Sequence, residues 1–467
     1  MKKRLMVFTL GVFSQLVCAQ TDSVLFSHEQ LWQLLPNHPM AQLALLQNAE
    51  TRAIRLQAKG LFDPKLSYQR ESKTFDGKNY FDLQKAGLSV ATWPGIDFKA
   101  NYKSTEGIFT NPENNLPQSG LIELGADVSL LRGLLFDNRR AALEQARIFK
   151  DANEAERRNL LNQLIGNAYS AYWQWSASFG RYRLLEQSLQ NSLNQLALVK
   201  SSFLAGNAAA IDTVEALTRV QTRMMDFEKA RLDLAKTRFV LSGFLWTTDS
   251  LPLLLEPTTK PTNLITHNQA FFTRDSLNLI LRDLDQIQPE LLALNAELQN
   301  IGVMRKLALN NLLPQADLSY RWLSAGNDPL NTQAFDPNSN YMLGLSFDLP
   351  LFVRKERAYL SLNRIKQQET EWKLREKRNQ LSYKIEAAYE GLVSYRRNSL
   401  TGAAGFNNYE LLYNTELRKF TIGESTMFVV NARENALLNA GLKWIESLEA
   451  FELQRIELLQ TGGFLAY

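Results

Sequence analysis

Two stretches of this sequence join a short strand pattern to a very long helical pattern, and they restrict the fold more than any other feature. The first covers residues 121–203 and the second residues 341–420. Each begins with an alternation of apolar and small or polar residues, which is the period of a β-strand with two unlike faces. Each continues as a helical pattern without internal proline for about 70 residues, which would span roughly 100 Å. Such helices do not fit a compact domain, so the sequence predicts long rods, each entered without a break from a strand.

The alternation is regular in both strand patterns. The apolar positions of the first are Ile122, Leu124, Ala126, Val128 and Leu130. The apolar positions of the second are Tyr341, Leu343, Leu345, Phe347 and Leu349. The positions between them are small or polar, apart from Met342. Both patterns therefore predict a sheet with one apolar face and one polar face.

The N-terminus has the features of a secretory signal. It combines a basic start, an apolar middle and small residues, and Val17 and Ala19 suit a cut before Gln20. We therefore predict a signal peptide at residues 1–19. Lipidation at Cys18 is the alternative, and Val17 disfavours it because a lipoprotein signal needs a small residue there. Cys18 is the only cysteine, so the mature chain would have neither disulfides nor cysteine–metal sites.

Charge and motifs exclude several classes of function. The whole chain has 52 basic and 48 acidic residues, and loss of Lys2, Lys3 and Arg4 with the signal leaves 49 against 48. A near-neutral chain gives no electrostatic reason to expect nucleic-acid binding. The three histidines are scattered, and no metalloprotease, nucleophile-elbow, phosphate-loop or dinucleotide motif occurs. We expect no catalytic residues, no cofactor and no metal, and no apolar run of 18 residues remains for a membrane-spanning helix.

The rest of the chain divides into helices, strands and turns. Residues 28–62 are predicted as one helix that ends before Pro64. A strand over 66–70 and an additional strand pair over 80–104 follow, the latter turning at residues 93–95. The long helices turn at Gly206 and Gly423, and each returns as an antiparallel arm.

A seam of 3.5-residue spacing predicts coiled packing within the first hairpin. On the outgoing helix the seam consists of Leu185, Leu189, Ser192, Leu196, Val199 and Phe203. On the returning helix we assign it to Leu217, Val220, Met224 and Phe227.

The chain also repeats itself. Residues 38–68 parallel residues 288–320, and Pro39 and Pro64 match Pro289 and Pro314 at the same separation. The two hairpin tips, 203–216 and 420–432, correspond as well. After the signal, the sequence therefore predicts two helix–strand–helix repeats, 20–262 and 263–467.

Signal, duplication and a tip of the form Phe-x-x-Gly followed by Ala together resemble the TolC-type outer-membrane efflux channel family, over essentially the whole mature chain. The resemblance implies an internally duplicated α+β membrane protein that forms a homotrimer in the outer membrane. Its helical hairpins would form a periplasmic helical barrel, and its strands a shared trimeric transmembrane β-barrel. The implied function is passive export of small molecules or proteins in a tripartite efflux or type I secretion system. The implied partners are a periplasmic adaptor (membrane fusion protein), an inner-membrane pump and outer-membrane lipid.

The resemblance leaves the number of strands open. Two strands per repeat would give twelve in a trimer, and the pair at 80–104 either raises this to eighteen or folds outside the barrel. Strands of this length and alternation are typical of barrel strands in lipid. The expected lipid-facing residues are Leu124, Val128, Leu130, Leu343, Leu345, Phe347 and Leu349. Trp93, Tyr102, Tyr320, Trp322 and Tyr341 would suit an interfacial girdle or ordinary packing.

The hairpin tips are the expected periplasmic entrance and adaptor-docking surface. In relatives the second tip carries acidic residues, whereas the matching positions here are Phe428 and Asn431. We expect these two to narrow the entrance by bulk and hydrogen bonding, and Gly206 and Gly423 to form the docking turns. Carboxylates remain in the first tip as Asp212 and Glu215, and Asp212 would also suit a helix N-cap.

Mid-helix aromatic residues are interpreted as helix packing rather than as a ligand site. They are Tyr169, Tyr172, Trp173 and Trp175. The alternative to a channel is a periplasmic coiled-coil adaptor or scaffold without a pore, and the alternating strands argue against it because such a protein needs no lipid-facing band.

Overall fold

The structure is a computed structural model that describes residues 24–109, 116–262, 272–325 and 339–465. The predicted signal peptide with Cys18 lies outside these residues. The chain forms two compact units. Of the described residues, the first unit comprises those within Met1–His38, Ala168–Ala270 and Ser394–Leu453, and the second those within Pro39–Asn167, Phe271–Val393 and Gln454–Tyr467. Each unit therefore takes residues from both halves of the sequence.

Helices dominate the described chain. They are α1 His28–Leu34, α2 Pro39–Gly60, α3 Asn138–Leu204, α4 Ala210–Ser242, α5 Arg274–Ile287, α6 Pro289–Asn310, α7 Arg354–Thr421 and α8 Met427–Gly462. The strands are β1 Leu25–Phe26, β2 Lys65–Phe75, β3 Lys78–Ala91, β4 Ile96–Glu106, β5 Leu121–Ser129, β6 Lys260–Pro261, β7 Gln315–Ala325 and β8 Tyr341–Asp348. Among the described residues, none of the helices has the length and apolarity that a membrane crossing requires.

The second unit contains one six-stranded sheet in the order β2-β3-β4-β5-β7-β8. Every neighbouring pair is antiparallel. The strand pair predicted at 80–104 is β3 and β4, and it lies inside this sheet between β2 and β5. The pair is therefore integral to the sheet in this chain. A separate two-residue pairing joins β1 to β6 in the first unit.

The prediction that each strand passes directly into its long helix is wrong. β5 ends at Ser129 and α3 begins at Asn138, and β8 ends at Asp348 before α7 begins at Arg354. In the first connection Gly133 has φ +95°, and the Asp137 carboxylate accepts a hydrogen bond from the Arg140 N–H at 2.8 Å. The chain therefore turns and is capped before the helix starts.

The single helix predicted over 28–62 is also wrong. α1 ends at Leu34, a 3-10 turn covers Leu35–Asn37, and α2 begins at Pro39. Two prolines fall in this short stretch, and each removes a backbone donor that a continuous helix needs. The sequence made no prediction for α5, although Leu277, Ile280 and Leu284 are buried along one of its faces.

Helices α3 and α4 pack through a core that includes Leu189, Leu196 and Val199 on α3 and Ala216 and Val220 on α4. The outgoing seam is buried as predicted, except that Phe203 is 43% exposed.

On α4, Leu217 and Met224 are exposed, so their assignment to the seam is wrong. The buried positions are instead Ala216, Val220, Arg223 and Ala230. Residues one position apart on a helix point in different directions, and small alanines allow the two helices to approach closely. A pattern that counts only large apolar residues overlooks such positions.

Candidate functional site

Both hairpin tips end their outgoing helices with the same glycine-dependent turn. Gly206 has φ +78° and Gly423 has φ +83°. The Gly206 N–H donates to the Phe203 carbonyl at 3.0 Å, and the next N–H, of Asn207, donates to the Ser202 carbonyl at 2.8 Å. Gly423 and its neighbour repeat this pattern with carbonyls of α7. This is the Schellman motif, in which a left-handed residue satisfies the last carbonyls of a helix.

The two acidic residues of the first tip lie on the first turns of α4 and are exposed. Helix α4 begins two residues before Asp212, so Asp212 is not the N-cap. Its Oδ2 instead accepts a hydrogen bond from the Ala209 N–H at 3.0 Å. Glu215 forms an ion pair with Arg219 at 3.3 Å. Both carboxylates therefore have local structural partners.

Phe428 and Asn431 lie on the first turns of α8 in contrasting environments. Phe428 is 75% exposed, whereas Asn431 is 6% exposed. Within the described residues, Oδ1 of Asn431 has no hydrogen-bond partner. A cavity of about 660 Å³ is lined by both residues and by Asp212 and Glu215. The structure thus brings four of the six predicted tip residues to one cavity, and the two turn glycines are not among its lining residues.

A buried polar cluster lies beside this cavity, and sequence reasoning missed it. Glu434 of α8 is 3% exposed and accepts a hydrogen bond from Gln195 Nε2 at 3.0 Å. The oxygen of Gln195 accepts from Arg219 at 3.4 Å. Arg223, also largely buried, donates to Asn435. The sequence feature that could have revealed this cluster is the presence of Gln195, Arg219 and Arg223 on helices whose neighbouring positions form an apolar seam.

Burial changes the ionisation of this cluster. Desolvation raises the pKa of the Glu434 carboxyl, although Gln195, Arg223 and Arg219 act in the opposite direction. Desolvation also lowers the pKa of the Arg219 guanidinium. The cluster therefore holds charge in an environment that disfavours it.

One face of the six-stranded sheet carries a band of apolar residues. On it, strand partners form rows such as Val90, Phe98, Ala126, Tyr320 and Leu343. The next row consists of Leu66, Leu88, Ala100, Leu124, Trp322 and Tyr341.

The predicted lipid-facing residues lie on this apolar face or immediately beyond it. Leu124 and Val128 lie in β5, and Leu343, Leu345 and Phe347 lie in β8. The β8 residues are well exposed, with Leu345 70% accessible. Leu130 and Leu349 follow the ends of their strands, and Leu130 still donates its N–H to the Ala316 carbonyl.

The opposite face of the sheet is polar and is held by cross-strand ion pairs. Lys103 of β4 contacts Glu123 of β5 at 2.5 Å. Lys99 pairs with Asp127, which also contacts Arg321 of β7 at 3.3 Å. Because these residues alternate with the apolar set, the polar face was predictable, but the pairings required the register.

The aromatic residues of the strands and those of the long helix lie in different environments. On the apolar face the ring of Tyr320 contacts those of Trp322 and Tyr341, with centroid distances of 5.4 and 5.9 Å. Trp93 lies in the β3–β4 turn and is 65% exposed. The mid-helix residues Tyr172, Trp173 and Trp175 are buried in the first unit.

Tyr172 illustrates the packing role of the mid-helix aromatics. Its hydroxyl donates to the Phe26 carbonyl at 3.3 Å, and burial raises its pKa to about 12. The interpretation as helix packing is confirmed for these three residues. Across the described ranges, no group of three or more His, Cys, Asp or Glu side chains could hold a metal ion.

Comparison with known proteins gives a partial family match. The family described as "Outer membrane efflux protein" matches residues 84–243, which include β4, β5, α3 and α4. No curated protein matches the sequence.

Solved structures match the fold over nearly the whole chain. The CmeC outer membrane channel of Campylobacter jejuni has a TM-score of 0.65 at 12% identity, covering 99% of this chain and 94% of that chain. The open state of the MtrE outer membrane channel of Neisseria gonorrhoeae has a TM-score of 0.64 at 14% identity, covering 93% and 88%. The outer membrane protein VceC of Vibrio cholerae has a TM-score of 0.63 at 14% identity, covering 93% and 96%. Together with the family match, they confirm the resemblance inferred from the sequence, and the α+β fold of long helical hairpins and antiparallel strands is confirmed.

Proposed function

We propose that this chain, which has the fold of outer-membrane channels and matches the outer membrane efflux family over residues 84–243, is a subunit of an outer-membrane efflux channel. It would passively export small molecules or proteins. Its function is then a conduit rather than a chemical reaction.

The observation that carries this proposal is the two-faced sheet. A sheet in lipid must present apolar side chains to the hydrocarbon and keep polar side chains toward water. The face that includes Leu345 and Phe347 meets the first requirement, since both side chains are more than 60% exposed. The face with Glu123, Lys103 and Asp127 meets the second. A coiled-coil adaptor or scaffold without a pore would leave the exposed apolar face unexplained.

The channel requires more than one copy of the chain. The sheet has two edge strands, β2 and β8, and within the described residues neither has a second neighbour. Open edges are not tolerated in the hydrocarbon region because their backbone groups would lack partners. A closed homotrimer, in which three chains share one barrel, satisfies these groups and agrees with the resemblance stated from the sequence.

The hairpin tips of the first unit are proposed as the periplasmic entrance. The Schellman turns at Gly206 and Gly423 would dock a periplasmic adaptor (membrane fusion protein), which joins the channel to an inner-membrane pump. Phe428 would restrict the passage by its exposed ring, while Asp212, Glu215 and Asn431 line the adjoining cavity.

The proposal is tested by purification from outer membranes and reconstitution into planar bilayers. We expect a heat-modifiable trimer that gives discrete conductance steps. A protein that fractionates with soluble material, or remains a single subunit in mild detergent, would contradict the proposal. A variant with Leu345→Arg serves as a control, because a charge on the apolar face should prevent insertion and abolish the steps.

A further inference from the structure

The six-stranded sheet contains one strand pair more than the four strands of the repeat pattern, and its position affects the size of the channel. β3 and β4 lie between β2 and β5. β3 pairs with β4 without interruption from Asp82↔Glu106 to Ala91↔Asp97. β4 then pairs with β5 from Ile96↔Val128 to Lys103↔Leu121. Neither edge of β4 is therefore open.

The β2–β3–β4 segment has the same two faces as the rest of the sheet. On one side Leu66, Leu88 and Phe98 continue the apolar rows of β5, β7 and β8. Leu66 is 83% exposed, which is costly for an apolar side chain in water and favourable in lipid. The apolar band therefore continues at the same height along the strands up to the edge of β2.

The polar side of the segment is bonded to the neighbouring strand. Lys99 and Lys103 of β4 both form ion pairs with carboxylates of β5. Asn101 Nδ2 also donates to Glu123 Oε2 at 3.2 Å. Displacing β4 from the wall would leave Glu123, only 3% exposed, without these partners, and an unpaired buried charge is strongly destabilising.

The strand directions allow this sheet to close with copies of itself. All five pairings are antiparallel, so β2 and β8 run in opposite directions. In a cyclic assembly every copy has the same orientation, and β8 of one copy meets β2 of the next as an antiparallel neighbour. Closure through β4, with β2 and β3 displaced, would have the same parity and is the competing arrangement.

We propose that each subunit contributes all six strands to the wall, and that β8 of one copy pairs with β2 of the next. This inference rests on the proposed function. Three copies of six strands give a barrel of eighteen, the size at which porins hold an open aqueous channel. The outer segment is therefore wide and lined by charged side chains, and it suits hydrated cargo rather than tightly fitting apolar molecules.

The experiment uses disulfide cross-linking between copies. The only cysteine in the sequence is Cys18, which the predicted signal removes, so the mature chain is a cysteine-free background. Ser346→Cys in β8 is combined in turn with a cysteine at each polar-face position of β2, and separately of β4. The β2 positions are Lys65, Ser67, Gln69, Glu71 and Lys73, and the β4 positions are Asp97, Lys99, Asn101, Lys103 and Thr105.

Directly opposed residues of antiparallel strands have Cα atoms about 4.5–5.5 Å apart, within the range of a disulfide. We expect at least one β2 combination to yield a covalent trimer on non-reducing gels, and no β4 combination to do so. The pair Gln69→Cys with Lys85→Cys is the positive control for oxidation, because these residues are partners within one subunit. Its disulfide should form without a covalent link between subunits.

The outcomes separate this inference from the proposed function. A trimer that cross-links through β4, or that assembles without cross-linking through any β2 position, overturns the six-strand wall and leaves the channel function intact. Failure to form any trimer, judged by native mass under reducing conditions, would instead remove the basis of both.

Discussion

Glu434 is a buried carboxylate whose ionisation should lower the stability of the first unit. Its neighbours are Gln195 of α3, Arg219 and Arg223 of α4, and Tyr413 of α7. Because burial raises its pKa above the ordinary value of 4.5, the folded state binds the proton more tightly than the unfolded state. The stabilising contribution is therefore fully present below about pH 4.5 and is lost as the pH rises through the raised pKa.

Glu434→Gln should remove this pH dependence. We measure the thermal midpoint by differential scanning fluorimetry in detergent. As the pH is raised from 4.5 to 7.5, the midpoint of this variant should increase relative to that of the wild type. Glu154→Gln is the control of opposite sign, because hydrogen bonds from Arg157 and Arg158 lower the pKa of Glu154 to about 2. That variant should be less stable than wild type at pH 7.5 and approach it as the pH falls toward 2. A thermal midpoint of Glu434→Gln that falls below that of the wild type at pH 7.5 would show that the charge of Glu434 is stabilising.

Phe428 is the residue predicted to restrict the entrance by bulk. Phe428→Ala removes an exposed ring at the second tip and should raise single-channel conductance without changing the amount of assembled protein. Ile422→Ala is the matched control, since Ile422 is 69% exposed in the same tip but does not line the cavity. Equal conductance for wild type and Phe428→Ala would rule out steric restriction at this position.

At the level of single residues, the sequence predicted which residue type a position needs better than it predicted the burial and the neighbours of a side chain. The turn glycines were identified because a helix that reverses needs a residue with positive φ, and glycine accepts it at little cost. Asp212 was considered an N-cap because aspartate is favoured there, whereas α4 begins two residues earlier. Glu434 was missed because helical periodicity cannot indicate which charged residue is buried between neighbouring helices.

Among the elements, the two hairpin tips offer a test of the helix-ending turns. Gly423→Ala places a side chain at φ +83°, which costs about 1–2 kcal/mol. A loss of 1 kcal/mol raises the population of the opened turn about fivefold, so the amide of Glu424, which donates to the Lys419 carbonyl, should exchange with deuterium at least that much faster.

Gly405→Ala provides the contrast for this substitution. Gly405 lies within α7, and a Cβ there would meet nothing within 4 Å. Alanine is favoured over glycine inside a helix by about 0.5–1 kcal/mol, so exchange along α7 should slow. Faster exchange in both variants would indicate that the tip responds to any substitution rather than to the backbone conformation.

Strand β8 allows the two faces of the sheet to be compared at adjacent positions. Leu345→Arg puts a charge on the apolar face, which in a barrel costs about 2–4 kcal/mol near the bilayer centre, and should sharply reduce heat-modifiable protein in outer membranes. Ser346→Arg puts the same charge on the polar face and should leave that amount unchanged. Equal loss in the two variants would contradict the assignment of the faces.

At the level of elements, the periodicity of two predicted β5 and β8 and their faces correctly. The connection of β5 to α3 was not predicted, because a local turn with Gly133 and Asp137 interrupts a segment whose apolar pattern continues. Helix α5 was overlooked although Thr273 caps it by accepting a hydrogen bond from the Ser276 N–H.

For the whole molecule, the additional strand pair gives a prediction about channel width. Deletion of residues 76–106 would join β2 through the outer loop to β5 and leave four antiparallel strands per subunit. Because barrel diameter grows roughly linearly with strand number, the diameter of the outer mouth should fall to about two-thirds of that of the full-length protein. The measurement is the size of poly(ethylene glycol) that enters from the outer side and lowers conductance. An unchanged size limit in a variant that still forms trimers would place the pair outside the wall.

The fold class was predictable from the sequence because strand, helix and tip patterns all recur at corresponding places. The place of residues 80–104 in the sheet was not predictable, since they have the alternation of any half-buried hairpin and only pairing partners decide where the hairpin belongs. The ladders from Lys99 and Lys103 to β5 supply that information.

The tight turn at Asp76–Gly77, between β2 and β3, has a consequence for how such a protein can change over time. A barrel of antiparallel strands, such as the one proposed, can gain strands only as whole hairpins. One added strand would place the long helix that follows on the wrong side of the bilayer. In the proposed channel, evolution can therefore alter the bore by gaining or losing one hairpin, while the turns at Gly206 and Gly423 stay as they are.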